Sequence, residues 1–208
     1  MTTTLQIGRS RQGRGRAAFS RTERFGAAAV ASSLVGFAVY GFANNEPSTI
    51  GYVSVVGVLG ACLAVVRRQV LPDWLVKGLV VIAIGHLCGG LIRVGESVLY
   101  NTDPGWQVLQ YDHIFHASAS AFGVAVLWTL ASPNIHGRSL ALAMSALGAL
   151  GFGALNEFVE FVATLAHSGS HVGGYMNTGW DFVANTFGVL VGASLLSLRS
   201  PGKQGPTD

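Results

Sequence analysis

Long apolar stretches alternate with short polar ones along the whole chain. The apolar windows fall at residues 25–42, 49–66, 78–95, 111–130, 139–166 and 179–198. A helix that crosses a bilayer takes about 17–25 residues at about 1.5 Å each, so every window is long enough. The fifth is long enough to tilt or to project beyond the lipid. The pattern predicts an all-α polytopic membrane protein built as one six-transmembrane-helix bundle.

Composition points the same way. Of the 208 residues, 11% are charged and 50% are hydrophobic, against about a quarter charged in a soluble domain. So little charge could not solvate a soluble surface. The basic residues then set an orientation. Arg9 to Arg24 precede the first window, Arg67, Arg68 and Lys77 lie between the second and third, Arg138 precedes the fifth, and Arg199 and Lys203 follow the sixth. Only Arg93 departs, at the far end of the third window. The positive-inside rule therefore predicts both termini in the cytoplasm.

Three regions follow. Residues 1–24 are expected to be a disordered basic arm attracted to anionic headgroups, residues 25–198 the transmembrane domain, and residues 199–208 a cytoplasmic tail. Basic charge alone also fits nucleic acid, but a topology signal explains it better, and no nucleic-acid partner is expected. Gly41-Phe42-Ala43 offers small residues for cleavage of a leader, yet the preceding apolar run exceeds the usual 7–15 residues, which favours a retained helix. Cys62 and Cys88 lie in apolar windows without a CxxC partner and read as small buried hydrophobes.

The informative residues are those that break the apolar pattern. Asp112 and His116, Glu157 and Glu160, and Asp181 and Asn185 are spaced three or four apart, so each pair shares a helix face. His86 stands alone in the third window. A charge at the centre of a bilayer costs about 2.5–3.5 kcal/mol on insertion scales, so such groups turn into the bundle and mark function by default. Given the alternating direction of the windows, all three pairs fall at one depth near the extracytoplasmic face. Gly188 and Gly192 continue the Asp181/Asn185 stripe with the spacing that lets helix backbones approach closely.

Four carboxylates near an imidazole repel one another unless a cation or protons intervene. Carboxylates and histidines on facing helices are how bundles build metal sites, and this mixture suits one divalent ion of Zn, Mn or Fe. Asp112, His116 and Asp181 are the candidate ligands, with Glu157 or Glu160 as general base. His86, Arg93, Tyr111 and Asn185 complete the candidate polar site. The reachable substrates are membrane lipids or lipid-linked envelope intermediates. A proton- or cation-coupled transporter and a non-catalytic envelope protein are the alternatives, the latter with Glu157 and Glu160 paired to Arg93. His113 faces about 100° away from Asp112 and is expected at the interface or behind the ligands. Sequence alone leaves the oligomeric state open.

Tyr111-Asp112-x-x-x-His116 at the start of one window, Asn156-Glu157-x-x-Glu160 late in the next, and Trp180-Asp181-x-x-x-Asn185-x-x-Gly188 at the start of the last resemble the YjdF-like family. That family comprises bacterial inner-membrane proteins of unknown function. Gly85-His86 fits its pattern too. The Asp112/His116 and Asp181/Asn185/Gly188 elements are distantly similar to the VanZ-like group, some of whose members are linked to glycopeptide resistance. The resemblance spans roughly residues 80–197. It implies a polar membrane site and supplies no reaction. This chain has Asn177 where the family pattern leads one to expect an acid, and it lacks a clear counterpart of the Gln and Arg usual in VanZ-like members.

Overall fold

The computed structural model describes residues 17–103, 109–166 and 175–199. It contains six long helices: α1 (Arg21–Ala43), α2 (Thr49–Val66), α3 (Asp73–Leu91), α4 (Tyr111–Ala131), α5 (Arg138–Ala166) and α6 (Tyr175–Leu198). All six are long and apolar enough to cross a membrane, so the protein is a six-helix membrane bundle. A two-stranded antiparallel hairpin, β1 (Arg93–Val94) and β2 (Ser97–Val98), follows α3. Most of the basic arm, the tail after Arg199, and His167 and His171 lie outside the described residues.

Three helices differ clearly from their apolar windows. The first helix begins at Arg21, inside the expected arm, because Ser20 caps it. Ser20 Oγ accepts the Glu23 N–H at 3.1 Å, while Glu23 Oε2 accepts the Ser20 N–H at 2.7 Å. The third helix begins at Asp73, behind Pro72, and ends at Leu91. Arg93 therefore lies in the hairpin rather than in the third span. Gly95, with φ of +64°, makes the hairpin's reversal, a conformation that an L side chain resists. The sixth helix starts at Tyr175, four residues before its apolar window, which brings Asn177 into the helix.

The helices form two groups. One is α1, α2 and α3; the other is α4, α5 and α6, joined mainly where α3 meets α4. Val56, Leu87 and Leu91 are the buried centre of the first, and Val124, Ala149 and Val189 that of the second. Leu71, Leu75, Val76 and Ala125 bridge them. Large apolar side chains such as Val39, Leu147, Phe158 and Leu190 face outward. Lipid is the natural cover for them. Cys62 is on this outer surface and not in the core as its apolar setting suggested, and Cys88 is half-buried.

The closest approach is between α4 and α6. A Cβ on Gly188 would stand 2.0 Å from the Ala117 carbonyl oxygen, and one on Gly192 would stand 2.7 Å from that of Ala121. Backbone cannot yield to such a clash as a flexible side-chain end can. Gly188 and Gly192 thus seat α6 directly on α4, and small residues at this spacing permit it.

The end of the bundle opposite the acidic pairs is held by buried polar contacts. Arg67 lies 3.1 Å from Glu23, both side chains almost fully buried, and Glu23 also accepts the Leu71 N–H at 3.1 Å. Arg67 donates to the Ala17 and Gln69 carbonyls and covers the Phe19 ring. Arg138 donates to the last carbonyls of α6, those of Leu196 and Ser197, at 2.9 and 3.0 Å.

Gly188→Val should destabilise the protein by about 1–3 kcal/mol, the usual range for overpacking. Gly60→Ala, at a position with open space around it, should leave stability unchanged. Thermal unfolding of both variants in detergent checks this; equal melting temperatures would refute the close-packing role.

Candidate functional site

The acidic end of the second helix group holds the site. Gln110 opens α4, and the next turns carry Asp112, His113 and His116, all buried. Asp181 and Asn185 lie two turns and one turn before Gly188 on α6, so the close approach at Gly188 brings them against His116. Glu157 comes from α5. Asp181 is 0% exposed and Glu157 and Asn185 are 3% exposed.

His116 is the centre. Its Nε2 lies 3.3 Å from Asp112 Oδ1 and 3.8 Å from Asp181 Oδ1. Its Nδ1 lies 3.4 Å from Asn185 Oδ1 and 3.6 Å from Glu157 Oε1. One ring thus has carboxylate at both nitrogens, contributed by three helices. Ligand-capable atoms of Asp112, His116 and Asp181 all lie within 4.8 Å of one another, and so do those of His116, Glu157 and Glu160.

The two aspartates are held from behind. Asn177 donates through Nδ2 to Asp181 Oδ2 at 2.6 Å and to Asp112 Oδ2 at 3.4 Å. One amide therefore occupies the outer oxygen of each acid and leaves each Oδ1 facing His116 Nε2. Asn185 is positioned in turn: Ser120 donates to its Oδ1 at 2.6 Å, and a Cβ on Gly153 would strike its amide at 2.9 Å. Asn156 donates to Glu160 Oε1 at 2.7 Å.

Several buried atoms at this centre make no hydrogen bond. They are Asp181 Oδ1, both oxygens of Glu157, Asn185 Nδ2 and His113 Nε2. A buried polar group left unsatisfied costs about 1–3 kcal/mol, more when charged. Several together, converging on one imidazole, fit a space that a ligand completes.

The remaining candidates separate from this centre. His86 Nδ1 and the Tyr100 hydroxyl form a 2.6 Å hydrogen bond, and the His86 ring packs on Tyr52 and Phe115. Tyr111 turns to α3, donating to the Gly85 carbonyl at 3.3 Å. These aromatics form a wall beside the site, fitted into notches at Gly89 and Gly90. Burial raises the Tyr100 phenol well above its ordinary pKa, so its hydroxyl keeps its proton. Arg93 stands in the hairpin at 3.8 Å from Glu46. The two form an ion pair, and among the described residues no salt bridge joins Arg93 to Glu157 or Glu160, the pairing weighed from sequence.

Three participants fall outside the residues proposed for the site from sequence, and only Tyr100 went unmentioned there. His113, expected at the interface or behind the ligands, is buried and lies 3.9 Å from Asp181 Oδ1. Asn177 fell outside the apolar window, although its spacing of four from Asp181 was a usable signal. Tyr100 lies in a short 3-10 turn after the hairpin and carried no signal along the chain.

The profile of a family described as Predicted membrane protein (DUF2238) matches residues 25–201, and the chain belongs to that family. DUF2238 is the YjdF family, in agreement with the motif resemblance. No curated protein and no solved structure matches the chain.

Tyr100→Phe should destabilise the protein by about 1–3 kcal/mol, because it leaves His86 Nδ1 buried without its partner. Adding His86→Phe should restore part of the loss. A double-mutant cycle by thermal unfolding measures the coupling, and strictly additive losses would show that the 2.6 Å pair is not an energetic unit.

Proposed function

We propose that this DUF2238 protein binds one divalent metal ion between Asp112, His116 and Asp181, and acts as an enzyme on membrane lipids or lipid-linked envelope intermediates. In this reading the site opens to the outside of a bacterial inner membrane, with both termini in the cytoplasm. Zn, Mn and Fe are the ions that suit two carboxylates and an imidazole.

The observation that carries the reading is the spacing around His116 Nε2. A charge-assisted N–H···O bond spans about 2.7–2.9 Å. The separations here are 3.3 and 3.8 Å, and Asp181 Oδ1 makes no hydrogen bond at all. Ligands about 2.0–2.2 Å from a tetrahedral ion stand roughly 3.3–3.6 Å apart, which these separations approach. The residues fit a cation better than they fit one another.

Each residue then has a task. Asp112 and Asp181 present Oδ1, and Asn177 fixes the orientation of both. His116 presents Nε2, with its Nδ1–H directed to Asn185 Oδ1 and Glu157 Oε1, so that Glu157 acts as the carboxylate behind a ligating histidine. Glu160 is less buried, adjoins His116 and has one oxygen held by Asn156, which suits it better than Glu157 to accept a proton. A bound cation would supply Lewis-acid polarisation of a phosphoryl or carbonyl oxygen and a more acidic water.

Transport is the weaker reading. Residues 117–131 of α4, 139–156 of α5 and 182–198 of α6 contain no Asp, Glu, His, Lys or Arg, so these helices offer no charged route to the other end.

Elemental analysis of the full chain, purified in detergent and reconstituted with Zn²⁺ or Mn²⁺, tests the proposal. Near-stoichiometric metal is expected in the wild type and in Glu160→Gln, with none retained by His116→Ala. Asn177→Ala should weaken metal affinity about 10–100-fold, as loss of a group orienting a ligand does. A folded wild-type protein that takes up neither ion would overturn the metal reading. Loss of metal in Glu160→Gln would make Glu160 a ligand and remove it as the base.

A further inference from the structure

We infer that His113 is not a metal ligand but the hydrogen-bond donor to an anionic oxygen, of the phosphate type, that completes the cation's coordination shell. The inference rests on the metal reading above and assigns that site its fourth position. It starts from the start of α4. The Gln110 backbone N–H points at His113 Nδ1 at 3.2 Å. A backbone N–H can only donate, so Nδ1 must accept, and the hydrogen of the neutral ring sits on Nε2.

That hydrogen decides the role. A metal ligand needs the lone pair at Nε2, which would require moving the hydrogen to Nδ1, against the Gln110 N–H. His113 therefore offers an N–H to the site. It is buried, and Nε2 has no hydrogen-bond partner. Its nearest acid atom is Asp181 Oδ1 at 3.9 Å, too far for a hydrogen bond.

Asp181 Oδ1 is thus flanked by His116 Nε2 at 3.8 Å and by His113 Nε2 at 3.9 Å, and bonds to neither. A cation accounts for the first gap. An oxygen bound to that cation, lying within reach of the His113 N–H, accounts for the second. Three protein ligands with one exchangeable position is the pattern of catalytic rather than structural zinc sites. A donor aimed at the exchangeable oxygen favours an anionic one, either a phosphate headgroup or free phosphate.

The test uses the full chain in detergent, loaded with Co²⁺ and followed through the visible spectrum of that ion. Inorganic phosphate and a short-chain phosphatidic acid are titrated in parallel. His113→Leu should keep Co²⁺ affinity within about threefold, since no ligand is lost, and weaken phosphate binding about tenfold or more, as loss of a hydrogen bond to a charged group does. His113→Gln, whose amide N–H replaces Nε2–H, should recover most of the phosphate binding. Tighter binding of phosphatidic acid than of inorganic phosphate assigns the oxygen to a lipid headgroup; the reverse assigns it to free phosphate.

Loss of Co²⁺ in His113→Leu to the extent seen in His116→Ala would make His113 a ligand and overturn the inference. So would phosphate affinity equal to that of the wild type in His113→Leu. Nitrogen-15 NMR of the histidines in metal-free protein gives an independent reading: hydrogen on Nδ1 of His113 overturns the assigned role even where Co²⁺ binds. Failure of the wild type to take up Co²⁺ is a different result, which removes the metal reading itself.

Discussion

The contact on which the site depends is backbone against backbone. Gly188 and Gly192 let α6 rest on the Ala117 and Ala121 carbonyls of α4. Ala117 is next to His116, and Asp181 is seven residues, two helical turns, from Gly188. Fixing the lower contact fixes the height and rotation of the upper one. A side chain at Gly188 would force the helices apart where no flexible group can yield, and His116 would lose its register with Asp181 and Asn185. Van der Waals packing is what holds membrane helices together, so this is also where the second helix group gains its stability.

The two ends of the bundle treat charge differently, and the difference separates scaffold from site. Glu23 and Arg67 are as buried as the acids around His116, yet they meet each other, Glu23 also bonding Ser20 and Leu71 and Arg67 bonding Ala17 and Gln69 and covering the Phe19 face, with only its Nε unbonded. Breaking one partner of such a buried pair costs about 3–5 kcal/mol, which makes it a lock for the loops. At the other end Glu157 and Asp181 keep unbonded oxygens beside an imidazole. Burial without satisfaction is expensive and persists where something else completes it. The same residue types therefore serve different purposes: Glu23 faces a fixed counter-charge, whereas the acids around His116 converge on one imidazole with several oxygens unbonded.

How far the sequence reached follows from the same physics. Six spans were legible because apolar windows of this length have one common use in lipid. The pairs Asp112/His116, Glu157/Glu160 and Asp181/Asn185 were legible because helical spacing puts each on one face and lipid turns that face inward. Boundaries were less so: Ser20, Pro72 and the polar first turns of α6 lie outside any apolar window, although they set where α1, α3 and α6 begin. Arg93 was misplaced because α3 ends before it. Which of its two expected places His113 takes stayed open because one helix's own geometry cannot say which neighbour covers its flank, and Tyr100 was missed because its partner, His86, lies on another element.

His113 and His116 show why residue identity is a weaker guide than the atom facing Nδ1. They sit one turn apart on α4 and face the same acid, Asp181. At His113 the atom facing Nδ1 is the donor N–H of Gln110, which leaves the hydrogen on Nε2 and makes the site-facing nitrogen a donor. At His116 the atoms facing Nδ1 are acceptors, Asn185 Oδ1 and Glu157 Oε1. In the proposed reading they keep the hydrogen on Nδ1, and the Nε2 lone pair is left for a cation held with Asp112 and Asp181. Asn185 keeps its oxygen toward His116 because Ser120 donates to that oxygen, and it fits there because Gly153 has no side chain. In the proposed reading two chemically identical rings thus become a ligand and a donor, divided by a helix cap on one side and an asparagine held from two helices on the other.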